Sequence, residues 1–320
     1  MQEWDPISEA VSNLIRQYVP LDIAQMIAGA IGSLLNVQLL CVLVSVQKLR
    51  RDAKYLICLA WGDLSNCLSF FLLGFYRYRL YTYCLAVNMV PVETPLSCVK
   101  KPNVWFRIVG NVWPPTVLIL MGTERMLGVL IPIFFRQHLR DKSTFFCIAS
   151  VVVTVTVCMI GLFLSIHNGS KKVKFDCGRK ATFSDEFTIA IYCWEVFGYI
   201  CAFVMNLIAF LRLRAIANLS DFNLQLRRIR HGLVLSALST LLVSFPNLKS
   251  LINFDFKTTS RVVARMFNCA SLLNSSINIF VYLWLYKRFR LEYIRMLYDF
   301  FEIIKGIVGK KSVSPQQQLW

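Results

Sequence analysis

Charge is scarce in this sequence. Only 17% of its 320 residues are Asp, Glu, Lys or Arg, and 56% are hydrophobic. Soluble domains carry about 25% charged and about 45–50% apolar residues. An ordinary cytosolic enzyme, a disordered regulator, a collagen-like chain and a disulfide-dense secreted domain are therefore disfavoured. The eleven cysteines form no CxxC pair, which argues against a zinc or redox motif. Histidine is limited to His138, His167 and His231, all expected in loops or at span ends. No His-ligated metal centre, mid-membrane proton relay or Ser-His-Asp constellation is expected, and so no enzyme, metal or cofactor. The first twenty residues hold Glu3, Asp5, Glu9 and Arg16 and lack an apolar stretch. No signal peptide is expected, and the first long apolar run should serve as the targeting signal and stay in the protein. Internal repeats and paired broken helices are missing too, which argues against a transporter, although Pro114 and Pro115 could break one helix.

What the chain has is long apolar runs. A helix needs about 20 mostly apolar residues to cross the hydrocarbon. Seven runs qualify, at 23–47, 55–76, 108–123 (apolar on to Phe135), 145–166, 187–211, 232–248 and 266–286. Their length and continuity suit helices rather than barrel strands. The expected fold is an all-α membrane protein, a seven-transmembrane helix bundle. Pro114 and Pro115 should kink the third span and Pro246 the sixth.

The formal net charge is +17. The basic residues lie between the apolar runs, so they suit anionic lipid heads rather than nucleic acid. With the N-terminus outside, the inner segments carry 19 Lys and Arg and the outer ones 12. That bias favours this direction. Asn168-Gly169-Ser170, a glycosylation sequon, then falls outside, whereas a second sequon at Asn218 falls inside. The expected layout is an extracellular N-terminus over 1–20, a membrane domain over 21–286, an amphipathic membrane-surface helix over 287–304 and a cytoplasmic tail over 305–320. In that short helix Lys287, Arg288, Arg295 and Glu302 lie on one side, with Phe289, Tyr293, Leu297 and Phe300 on another.

Ionisable residues at membrane depth are costly and point to function. Asp63, Arg107, Glu124, Arg125, Glu195, Lys249 and Arg265 stand out. So do several motifs. Asn36 lies in span one, and Leu59-Ala60-Trp61-Gly62-Asp63-Leu64 surrounds the acid of span two. Glu124-Arg125-Met126 is followed by Pro132, seven residues after the Arg. Pro246 lies in span six, the run from Asn274 to Tyr282 in span seven, and Phe289 seven residues beyond Tyr282. In order and depth these resemble the motifs of rhodopsin-like G-protein-coupled receptors. Ile279 replaces the family's seventh-helix proline and Ser244 its sixth-helix tryptophan. Span four has no Trp, span five no Pro, and Met126 stands for a tyrosine. Such erosion resembles the nematode serpentine chemoreceptors, near the Srsx or Srx groups.

The resemblance implies specific roles. Glu124, Arg125, Pro132, Pro246, Asn278 and Tyr282 would form the activation switch. Arg125 would pair with Glu124 or with span six until that span swings outward and admits a heterotrimeric G protein. Asn36, Asp63, Asn274 and Ser275, with Asn278, would form a polar core holding water rather than sodium, because Pro114 stands where a hydroxyl is usual. Cys98 and Cys177 would form the outer disulfide, with Cys84 as a competitor. The ligand-binding set is Arg107, Asn111, Glu195, Lys249 and Arg265. Arg107 stands where amine receptors carry an acid, and three cations against one anion suit a small acidic ligand. The alternative is that Lys249 and Arg265 snorkel to headgroups while Arg107 pairs with Glu195. The expected partners are a small-molecule or peptide ligand, a G protein and membrane lipid. The expected location is the plasma membrane, with a sensory cilium as one site. A neuropeptide receptor with a rim at 77–103, or a seven-helix channel with its N-terminus inside, are the rival readings.

Overall fold

A computed structural model describes residues 4–139, 142–169, 171–216, 223–256, 261–285 and 287–311. Within these, the side chains at 52, 216, 223–225, 227, 228, 249, 250, 253–256, 261–268, 300, 303, 304 and 306–311 lie outside the description. The chain opens with β1 (Trp4–Pro6), α1 (Glu9–Ser45), α2 (Gln47–Asp52) and α3 (Lys54–Val87). Then come β2 (Met89–Pro91), α4 (Pro95–Val99), α5 (Pro102–Leu130), α6 (Pro132–Phe134), a π turn at Phe135–Leu139, and α7 (Ser143–His167). The second half holds α8 (Arg179–Thr182), α9 (Asp185–Ile216), α10 (Asn223–Ser239), a π turn at Thr240–Ser244, α11 (Phe245–Phe256), α12 (Arg261–Leu285) and α13 (Lys287–Lys311).

Six of these stretches are long and apolar enough to cross a membrane: α1, α3, α5, α7, α9 and Ile229–Leu248 across α10 and α11. The seventh crossing is α12, which meets α13 at a bend of 107°. The protein is thus an all-α, multi-pass membrane protein. In hydrocarbon every backbone N–H and C=O needs an internal partner, which is why β-branched runs such as Val151-Val152-Val153-Thr154 still form helix in α7. Phe163 and Val152 of α7 are apolar and exposed, the surface that a helix against lipid tails requires.

The helices interlock through a core of Leu39, Leu43, Leu59, Val117, Leu118, Tyr282 and Phe289. At Gly29 of α1 an added Cβ would lie 2.6 Å from the Phe71 nitrogen of α3. Only glycine permits that approach, and small residues are the usual means of close helix contact in a bilayer.

Three features of the elements go beyond the sequence reading. First, residues 4–20 contain a strand and the start of the first long helix. Trp4–Pro6 pairs antiparallel with Met89–Pro91. Helix α1 starts at Glu9, where the Ser8 hydroxyl accepts from the Val11 N–H at 3.4 Å. Ile15 and Tyr18 on this early stretch are buried against Tyr81 and Cys84 of α3, while Glu9 and Arg16 stay exposed. Burial of that apolar face draws the helix outward despite its charges. Second, α5 continues as helix on both sides of Pro114 and Pro115, so these prolines do not end the third span. In the sixth span the break is a π turn at 240–244, and Leu242, four residues before Pro246, sits within it. The proline ring clashes with that carbonyl in a regular helix, and the wider turn relieves the clash. Third, α13 continues to Lys311, past the expected end at 304. Its Phe289 is buried, and the Tyr293 hydroxyl donates to Gln38 Oε1 of α1 at 3.0 Å.

Candidate functional site

Polar side chains gather at three depths of the bundle and in a lid above it. In the half of the bundle nearest β1 and β2, Arg107 of α5 holds its guanidinium 3.9 Å from the ring centre of Phe70. It lies within electrostatic reach of Glu195 on α9 and Arg179 on α8. Glu195 is buried and accepts from Asn247 Nδ2 of α11 at 2.6 Å. Arg179 stacks 4.5 Å over Tyr192. Asn111, one turn along α5 from Arg107, is 2% exposed, and its Nδ2 has no hydrogen-bond partner among the described residues. A buried donor without a partner costs about 1–3 kcal/mol unless something fills the role. Lys249 lies on α11 and Arg265 on α12, with both side chains outside the described residues. Two cluster members, Asn247 and Arg179, went unnoticed in the sequence. A polar residue directly after the Pro246 of an apolar span was the available signal for Asn247; Arg179 had none beyond a basic loop.

At mid-depth, Asp63 of α3 accepts from Asn278 Nδ2 of α12 at 2.5 Å. Asn36 Nδ2 of α1 donates to the Ser275 carbonyl at 2.9 Å. Asn274 Oδ1 accepts from the Ser239 hydroxyl of α10 at 3.0 Å. The structure therefore brings Asn36, Asp63, Asn274, Ser275 and Asn278 together. Asn66, not singled out in the sequence, joins them by donating to Ser275 Oγ at 2.9 Å. It lies one turn beyond Asp63 on the same face, which is the periodicity that could have revealed it.

At the end of the bundle away from β1 and β2, Arg125 Nη1 donates to Asn206 Oδ1 of α9 at 3.0 Å. Asn206 is fully buried and is itself held by its Nδ2 on the Ala202 carbonyl at 2.8 Å. This acceptor, a neutral amide on the fifth span, adds to the pairing with Glu124 or the sixth span that the sequence predicts. Glu124 lies beside Tyr55 of α3. On α10, Gly232 faces the Arg125 guanidinium so closely that a Cβ there would overlap it. The preceding His231, expected at a span end, is fully buried, its ring 4.6 Å from Tyr282 of α12. Tyr282 continues to Phe289 at 5.8 Å. Pro132 opens α6, directly after the end of α5.

The lid is tied by a disulfide between Cys98 of α4 and Cys177, with Cα atoms 5.3 Å apart. Cys84 remains a free, buried thiol. Around the disulfide, Lys101 Nζ donates to Glu93 Oε1 at 2.8 Å and to Cys177 Sγ at 2.9 Å, and also to the Tyr76 hydroxyl. Ser97 Oγ donates to Glu93 as well. Burial pulls the Lys101 ammonium below its ordinary pKa, and the Glu93 carboxylate opposes that shift. Glu93 pairs in an isolated bridge with Val173, which joins the connection after α7 to the segment between β2 and α4. A cavity of about 710 Å³ opens there, lined by Asp5, Lys172, Lys174 and Lys180 among others. Asn168 caps α7, with its Oδ1 accepting from Lys171 at 2.9 Å. Ser170 of that sequon and all of the Asn218 sequon lie outside the described residues.

A comparison with protein families matches residues 26–297 to the serpentine type 7TM GPCR chemoreceptor Srsx. No curated protein matches the chain.

Proposed function

We propose, from the premise that the chain belongs to the serpentine chemoreceptor family Srsx, that it is a plasma-membrane receptor for a small acidic ligand. Its N-terminus is outside, in a sensory cilium where the cell has one, and its inner end engages a heterotrimeric G protein. The observation that carries the ligand class is the outer cluster. Arg107 and Arg179 share one buried carboxylate, Glu195, which Asn247 already occupies. Two guanidiniums near Glu195 make this part of the bundle electrostatically suited to a carboxylate ligand. A bidentate Arg–carboxylate contact is the strong form of that interaction. Asn111 Nδ2 supplies an adjacent donor.

The inner end supplies the output. Arg125, Asn206, Gly232, His231 and Tyr282 join α5, α9, α10 and α12 in one contact set. Ligand binding in the outer half would bias α10 through the π turn below Pro246, and outward movement of α10 would uncover Arg125 for a partner helix. The polar core of Asp63 and Asn278 lies between the two ends and supports that coupling. The cavity on this side, where Lys172, Lys174 and Lys180 stand with Asp5 and Asp185, supports a second reading, a peptide ligand reaching down from the rim.

The test is a panel of small carboxylates and their neutral amides, read by G-protein activation in cells expressing the full chain. A carboxylate should activate while its amide fails, and Arg107→Gln should abolish the response at equal surface expression. Activation by amines, or an unchanged dose–response in Arg107→Gln, refutes the acidic-ligand reading.

A further inference from the structure

At the end of the bundle that carries Arg125, a groove of about 200 Å³ runs between α10 and α12, lined by Arg230, Val234, Trp284 and Leu285. It faces away from the bundle interior. His231 and Tyr282 fill the inside of the same two helices, whereas Arg230 is exposed and Trp284 is 73% exposed. Its chemistry is graded. Val234 and Leu285 are aliphatic, Trp284 offers an indole, and Arg230 supplies one guanidinium. Lys287 and Arg288, both exposed, begin α13 two and three residues past Leu285, where the chain turns by 107°. A soluble anion would satisfy the guanidinium and leave the indole and Leu285 uncovered. A purely apolar partner would bury the walls and strand the charge. An amphiphile with an anionic head satisfies both, and indole and guanidinium together are typical of the headgroup level.

We propose that this groove holds the glycerophosphate end of an anionic phospholipid. Its phosphate lies on Arg230, whose charge favours an anionic head over a zwitterionic one, and its acyl chains lie along Val234, Trp284 and Leu285. The site rests on the bundle's membrane setting and on the orientation proposed above for which leaflet supplies the lipid. It does not rest on the ligand or the G protein, so it stands or falls separately from them.

The experiment uses the purified full chain, delipidated in detergent and offered equimolar phosphatidylglycerol and phosphatidylcholine, with retained lipids counted by native mass spectrometry. The wild type should retain phosphatidylglycerol preferentially. Arg230→Gln should lose roughly fivefold of that preference, the value of one cation near an anionic surface. Trp284→Ala should lose retention of both lipids. Arg214→Gln, an exposed cation on α9, should behave as wild type. Arg230→Lys, which keeps the charge, serves if the Gln variant unfolds, and should retain the preference for phosphatidylglycerol. Equal retention of the two lipids by the wild type overturns the proposal, as does unchanged preference in Arg230→Gln. Displacement of phosphatidylglycerol by soluble glycerol phosphate would also overturn it, because the site would then recognise phosphate alone.

Discussion

Gly232→Ala is the sharpest probe of the inner end. The new methyl would overlap the Arg125 guanidinium and lie 2.7 Å from Asn206 Oδ1, the atom that holds it. Arg125 is a long side chain, but it cannot retreat without leaving its 3.0 Å bond to Asn206. The penalty therefore has two sources. Overpacking of a well-filled contact costs about 1–3 kcal/mol, and loss of a hydrogen bond to a charged group costs about 1.5–3 kcal/mol. Both arise only while α10 lies against α5. An arrangement with α10 moved outward escapes them, so the substitution shifts the balance toward that arrangement. The overpacking term by itself, about 1–3 kcal/mol, corresponds to roughly 5- to 150-fold. The assay is ligand-independent nucleotide exchange on a G protein, normalised to surface receptor. Basal exchange should rise, and Asn206→Ala, which removes the acceptor without adding bulk, should raise it too. If both variants reach the surface and basal exchange is unchanged or lower, the Arg125–Asn206 contact does not hold the resting arrangement and the mechanism fails.

The other expectations concern the lid and the orientation. Cys177→Ser opens a loop spanning 79 residues of sequence, and a closure of that order is worth about 4 kcal/mol. Its surface expression should fall sharply, whereas Cys84→Ser should leave expression near wild type. Lys101 provides a pH test. Its folded-state pKa is below the ordinary 10.5 because it is buried, so the unfolded chain binds the proton more tightly. Stability should therefore rise as pH climbs from that lowered value towards 10.5, and Lys101→Met should flatten the melting temperature over this window. Glycosidase treatment should shift the mobility of the cellular protein, and Asn168→Gln should remove the shift. No shift in the wild type would count against placing that connection outside.

The number of spans and the family could be read from the sequence by itself. Continuous apolar runs admit one solution in a bilayer, a helix, because the backbone has no other hydrogen-bond partner there. The motif residues Asp63, Arg125, Pro246 and Asn278 stood at depths that those helices then inherit. What the sequence does not carry is which residues meet across helices, since periodicity describes a face and not the face opposite it. Asn206 as the acceptor for Arg125, Asn247 on Glu195, Asn66 beside Ser275 and the burial of His231 all depend on rotations and depths set by packing around Gly29, Gly232 and the π turn before Pro246. The lid is the same case. Trp4–Pro6 looks like a polar tail until Met89–Pro91, more than eighty residues away, supplies its partner strand. Local composition determined the helices; contacts between residues distant in sequence decided the site.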